Sequence, residues 1–181
     1  MNIILTGLRG TGKSSIGQAL AQQLRLRFVD TDTHIEALAQ SRITDLVAQQ
    51  GWEHFRALER QVVRQVAATD HQVIATGGGT LIDEANAAVL AEHGLVILLV
   101  CELSVLQRRL ALSDDRPSLT GQGAAAVELG PVWETRRARY HAVADLIYDV
   151  STESDDDVED VERKATALAV LVQQDARFTR G

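Results

Sequence analysis

Five residues near the amino terminus carry the first recognisable chemistry. Gly7, Gly10, Gly12, Lys13 and Ser14 stand within GLRGTGKSSIG in the order G-x-x-x-x-G-K-S, and Lys13 is one of only two lysines in the chain. This is the spacing of a phosphate-binding loop, which needs a strand before it and a helix after it. Both are present: Ile3, Ile4 and Leu5 form a short apolar run, and Ile16, Leu20 and Leu24 recur at helical spacing. Glycines let the backbone curl so that its N–H groups converge on an anion, and the helix that follows turns its positive end to the same place. Lys13 then reaches the β- and γ-phosphates, and the Ser14 hydroxyl ligates Mg²⁺. A glycine-rich turn could be merely structural, but the lysine, the serine and the flanking elements together point to a nucleoside triphosphate.

Three further groups of residues bear on what receives the phosphate. Asp30 and Asp32, in FVDTD, stand at the exit of the second apolar run. One could reach toward Mg²⁺ through water while the other faces an acceptor hydroxyl, or the pair could simply turn the chain and cap a helix. Arg56 and Glu59, in FRALE, are three residues apart on a helix whose apolar stripe is Phe55, Leu58, Val62 and Val66. Off that stripe they read as a surface pair, or as a guanidinium held by a carboxylate for an anionic substrate. The run ATGGGT favours the second reading. Gly77, Gly78 and Gly79 directly after a strand leave backbone N–H groups bare to a ligand.

The elements that must position these residues alternate. Strand-like runs at Ile3–Thr6, Arg27–Asp30, Gln72–Ala75, Val96–Val100 and Leu146–Val150 are separated by helical patterns. Such alternation predicts an α/β fold, a parallel sheet with helices on both faces and ligands at the carboxyl ends of its strands. The helices are expected at 33–39, 44–50, 52–67, 84–92, 104–112, 131–142 and 158–173. Residues 113–130 interrupt the pattern with glycines, a proline and an arginine, and suit a mobile cover. Asp155–Asp157 read as a solvated helix start, and the residues after Asp175 as a frayed tail.

At 181 residues, 45% hydrophobic and 24% charged, the chain is expected to form one globular domain. Its formal net charge of -7 disfavours nucleic acid as a partner. The amino terminus leads straight into a strand and no apolar run approaches the roughly 20 residues of a membrane span, so a cytoplasmic protein without a membrane partner is expected. Cys101, the only cysteine, is expected as a small core residue, and the five histidines show no metal-ligand spacing.

Taken together, GLRGTGKSSIG, FVDTD, FRALE, TGGG, RP and RRARY resemble the shikimate kinase family in order and interval, over nearly the whole length. The resemblance implies a three-layer P-loop fold of the nucleoside monophosphate kinase group, with a five-stranded parallel sheet in the order 2-3-1-4-5 and a mobile lid. It implies one kinase domain over 1–181, with an acceptor-binding region near 32–60 and the lid near 113–130, acting as a monomer. The reaction implied is ATP-dependent phosphorylation of the 3-hydroxyl of shikimate, in aromatic amino-acid biosynthesis. By the same resemblance Gly10, Thr11, Gly12, Lys13, Ser14 and Ser15 cradle the nucleotide phosphates, with Ser14 and Asp30 at Mg²⁺. Asp32 holds the acceptor hydroxyl and acts as base, Arg56 and Arg136 clamp the substrate carboxylate, and Gly78 and Gly79 line the pocket. Arg116 closes onto the phosphates from the lid, and Arg109 lies by the adenine. A gluconate kinase, a nucleoside monophosphate kinase and a nucleotide-gated binding module are the rival readings; Asp32 and Arg116 argue against the last.

Overall fold

The computed structural model describes residues 1–111, 125–151 and 158–177, the side chains of 125–127 excepted. Strands β1 (Asn2–Thr6), β2 (Arg27–Asp30), β3 (Gln72–Ala75), β4 (Gly94–Val100) and β5 (Leu146–Asp149) pair in parallel in the order β2-β3-β1-β4-β5. The helices are α1 (Lys13–Leu24), α2 (Thr31–Ala39), α3 (Ile43–Ala67), α4 (Glu84–His93), α5 (Leu103–Ala111), α6 (Ala125–Val143) and α7 (Val158–Gln174).

Side-chain alternation along the strands sorts the core into layers. On β1, Ile3 and Leu5 face α1 and α7, where they meet Ile16, Leu20, Leu168 and Val172. Ile4 faces the other way, into a cluster with Val62, Val63 and Leu90 of α3 and α4. Leu98 of β4 joins a third cluster with Leu106, Leu129 and Tyr140 of α5 and α6. Every residue of β1 and β3 is buried, which is why these strands read as continuous apolar runs.

Register carries the fold to the site. Leu5 and Asp30 both pair with Ala75, so the segments leaving β1, β2 and β3 emerge side by side. The phosphate-loop glycines, Asp30–Asp32 and Gly77–Gly79 are therefore brought to one edge of the sheet.

Three expectations change. The helix expected from Pro131 begins at Ala125, so residues 125–130, expected as part of the cover, are helical; Leu129 is buried against Leu8 and Leu106, and Pro131 sits inside the helix. The rest of that interval, with Arg116, and the Asp155–Asp157 run lie outside the described residues. The two helices expected on either side of Gly51 are both present, as the two arms of α3, which meet at a kink where Gly51 takes φ 80°, ψ 170°. Beyond α7, Arg177 is not frayed but binds Asp145 at 2.8 Å and Asp175 at 3.0 Å. Cys101 is half-buried rather than a full core residue.

Candidate active site

The phosphate loop is shaped by positions that no side chain could occupy. Gly7 has φ 140°, and a Cβ there would stand 2.3 Å from the carbonyl oxygen of Leu99 on β4. Gly12 closes the loop at φ 81° as the residue before α1. Thr11 is buried and donates its hydroxyl to the carbonyl of Leu8 at 2.9 Å, drawing the turn tight. No side chain caps α1 and no acid stands in its first turn. Its leading N–H groups thus keep their capacity for an anion, whereas α2 and α4 are capped by Asp30 and Asp83.

Lys13 lies across the loop, its Nζ donating to the carbonyls of Gly7 at 3.1 Å and Leu8 at 2.8 Å. Arg109 braces the other side, its Nη1 donating to Gly10 at 3.2 Å and approaching Cys101 Sγ at 3.7 Å. Burial pushes the Cys101 thiol up, against the pull of Ser151 and Arg109. Ser15, in the first turn of α1, also borders a groove of about 310 Å³ between α1 and α7, with Gln18, Gln22 and Val158.

Asp30 caps a helix and also touches the phosphate loop. One carboxylate oxygen accepts the N–H groups of Asp32 and Thr33, capping α2, and the other accepts the Ser14 hydroxyl at 2.6 Å. Two hard oxygen donors in contact at the loop are of the kind that would suit Mg²⁺. Among the described residues no three His, Cys, Asp or Glu side chains group as a metal cage. Asp32 is not on the strand but in the first turn of α2, and its Oδ1 lies 2.5 Å from where a Cβ of Gly77 would be. The Thr31 hydroxyl accepts the Gly77 N–H at 3.0 Å, joining α2 to the glycine triplet.

The two arginines converge on the same triplet. A Cβ on Gly79 would fall 2.8 Å from Nη2 of Arg56, and Arg136 donates its Nη1 to the Gly78 carbonyl at 2.9 Å. Arg56 is held by Glu59 at 2.6 Å and lies 5.6 Å from the Trp52 ring centre and 5.1 Å from that of Phe55. Glu59 itself is 1% exposed and accepts the Thr80 hydroxyl at 2.8 Å. It stands on the buried stripe, not off it, because it falls four residues after Phe55 and three before Val62. That spacing was available in the sequence; the charge obscured it. Sequence reasoning also passed over Thr31, Thr80 and Tyr140, whose partners are remote in the chain and leave no local signal.

Comparison with known proteins points to one family. A family model described as shikimate kinase matches residues 9–166. The chain is 38% identical over 162 residues to a shikimate kinase 2 of Yersinia enterocolitica, covering 88% of this chain and 92% of that one. Among solved structures, a shikimate kinase from Bacteroides thetaiotaomicron superposes with a TM-score of 0.85 at 30% identity, over 96% of this chain and 98% of the other. One from Acinetobacter baumannii, in complex with shikimate, gives 0.83 at 26% identity over 94% and 92%.

Proposed function

The chain belongs to the shikimate kinase family, and from that premise we propose that this cleft transfers the γ-phosphoryl group of ATP to the 3-hydroxyl of shikimate, giving shikimate 3-phosphate for the chorismate pathway. One observation carries the reading at residue level: Asp32, Arg136 and Arg56 meet successive glycines of one triplet beside a phosphate loop.

Each group then has a task. Gly10, Thr11, Gly12 and the N-terminus of α1 direct backbone N–H groups at the nucleotide phosphates, with Ser15 beside them and Arg109 toward the adenine. Lys13 exchanges its contacts with Gly7 and Leu8 for the β- and γ-phosphates. Ser14 and Asp30 would hold Mg²⁺, which when bound would supply positive charge against the nucleotide phosphates. Asp32 aligns the acceptor hydroxyl and takes its proton. Arg56 and Arg136 bind the carboxylate of shikimate, while Gly78 and Gly79 let the ring approach. Arg116, within a cover formed from residues 113–124, supplies positive charge to the transferring group and helps to exclude water. Such a reaction asks for positioning and charge, with little covalent work from the protein.

The whole chain acts as one kinase domain, with residues 32–60 forming most of the acceptor site. We read it as a cytoplasmic monomer with no nucleic-acid or membrane partner. The net charge of -7 disfavours nucleic acid, and no helix among the described residues is long and apolar enough to cross a membrane. The test is ADP release from Mg·ATP with shikimate, with gluconate and with neither. Shikimate-dependent release alone is expected; turnover on gluconate alone would overturn the substrate assignment.

A further inference from the structure

Tyr140 is fully buried in α6, among Leu8, Leu98, Leu106 and Leu129, with its ring stacked on Trp133 at 6.2 Å between centres. A buried phenol is costly unless its hydroxyl is satisfied. Here the hydroxyl donates to the carbonyl of Gly78. That same oxygen accepts Nη1 of Arg136, which lies four residues earlier on the same helix. Both lone pairs of one peptide carbonyl are thus committed to α6. Burial, opposed by nearby Arg136, pushes the phenol up, so the donor keeps its proton at neutral pH.

The choice of acceptor matters because of what surrounds it. Gly78 stands between two other glycines, where backbone rotation is cheap and no side chain resists it. The orientation of the Gly78–Gly79 peptide must therefore be imposed from outside the triplet. A trans peptide is planar, so directing the Gly78 carbonyl at α6 directs the Gly79 N–H the opposite way. Fixing one oxygen sets both a backbone donor and the guanidinium of Arg136.

We propose that Tyr140 is a positioning residue for acceptor binding, whose hydroxyl, through the Gly78 carbonyl, holds Arg136 and the Gly78–Gly79 peptide in the geometry that receives the substrate carboxylate. This rests on the reading that Arg136 binds that carboxylate. Tyr140 touches neither substrate nor phosphate; it acts through groups that do.

Tyr140→Phe keeps the ring and its stack on Trp133 and removes only the hydroxyl. With ATP saturating, KM and the calorimetric Kd for shikimate are expected to rise about 3- to 10-fold, the effect of one hydrogen bond. kcat should change by less than about twofold and KM for ATP should not move, a split that loosened packing would not produce. Arg136→Ala and the double variant complete a cycle. If Tyr140 acts through Arg136, the double variant binds shikimate little worse than Arg136→Ala alone. Weak binding in Arg136→Ala with normal binding in Tyr140→Phe overturns the proposal and leaves the clamp standing. Normal binding in both removes the carboxylate reading and the proposal with it. Additive losses, or a lower Tm with parallel loss of kcat and both KM values, make Tyr140 a packing residue and also overturn it.

Discussion

Glycines and charged side chains divide the work at residue scale: Gly77 makes room for Asp32, and Gly79 for Arg56. On the proposed reading Asp32 and Lys13 serve different parts of one reaction, and their variants should differ accordingly. Asp32→Asn preserves the shape of the first turn of α2 but cannot accept a proton. It should lower kcat roughly 10²- to 10⁴-fold while ATP binding, measured by calorimetry, is retained. Wild-type turnover in this variant would leave Asp32 as a turn residue only. Lys13→Ala removes a charge that donates to two loop carbonyls. Turnover should fall roughly 10²- to 10³-fold, as for other groups aimed at developing charge. Its circular dichroism should match that of the wild type; full activity would sink the phosphate-loop assignment.

Elements were legible where one local signal dominated. The bounds of β2 and β3 follow from short apolar runs stopped by Asp30 and by the glycine triplet, and α7 from its apolar spacing. The start of α6 was not, because Pro131 resembles a first helical residue while burial of Leu129, a tertiary effect, extends the helix to Ala125. At the site, the loop, Asp30 and the paired Arg56 could be read from spacing, whereas Tyr140 and Thr80 work through partners 62 and 21 residues away. The break in α3 belongs to this scale too. Gly51 adopts a φ/ψ combination essentially reserved for glycine, yet a Cβ there would meet nothing within 4 Å. Gly51→Ala should therefore destabilise through backbone strain alone, by about 1–3 kcal/mol. For a domain of this size Tm should drop roughly 2–4 °C per kcal/mol. An unchanged melting curve would show that the break relaxes into continuous helix at no cost.

Across the whole molecule, 25 acidic residues against 18 basic ones suggest that mild acid should relieve repulsion, but particular carboxylates oppose that trend. Asp83 follows the 3-10 turn Thr80–Ile82 that leaves the glycine triplet, and it fastens that turn to two helices. One of its oxygens caps α4 by accepting the N–H groups of Ala85 and Asn86, and the other accepts Arg60 of α3 at 3.0 Å. Partial burial draws its pKa upward, yet the Asn86 and Ala85 N–H groups and the Arg60 guanidinium outweigh it, so the carboxyl is held below its ordinary 3.8. A depressed folded-state pKa contributes stability that is present above the unfolded value and lost as pH falls through the folded one. Asp83→Ala should thus melt lower than the wild type at pH 7, by an amount corresponding to about 1 kcal/mol for a lost helix cap. The gap should narrow as both proteins are taken below about pH 4, the unfolded-state value, and on toward the lower folded one, where the wild-type carboxyl takes up its proton. Melting curves for the pair between pH 7 and pH 3 measure this directly. A gap that stays constant over that range would mean that Asp83 contributes by packing rather than by charge, and that the turn beneath the acceptor site owes its acid sensitivity to some other carboxylate.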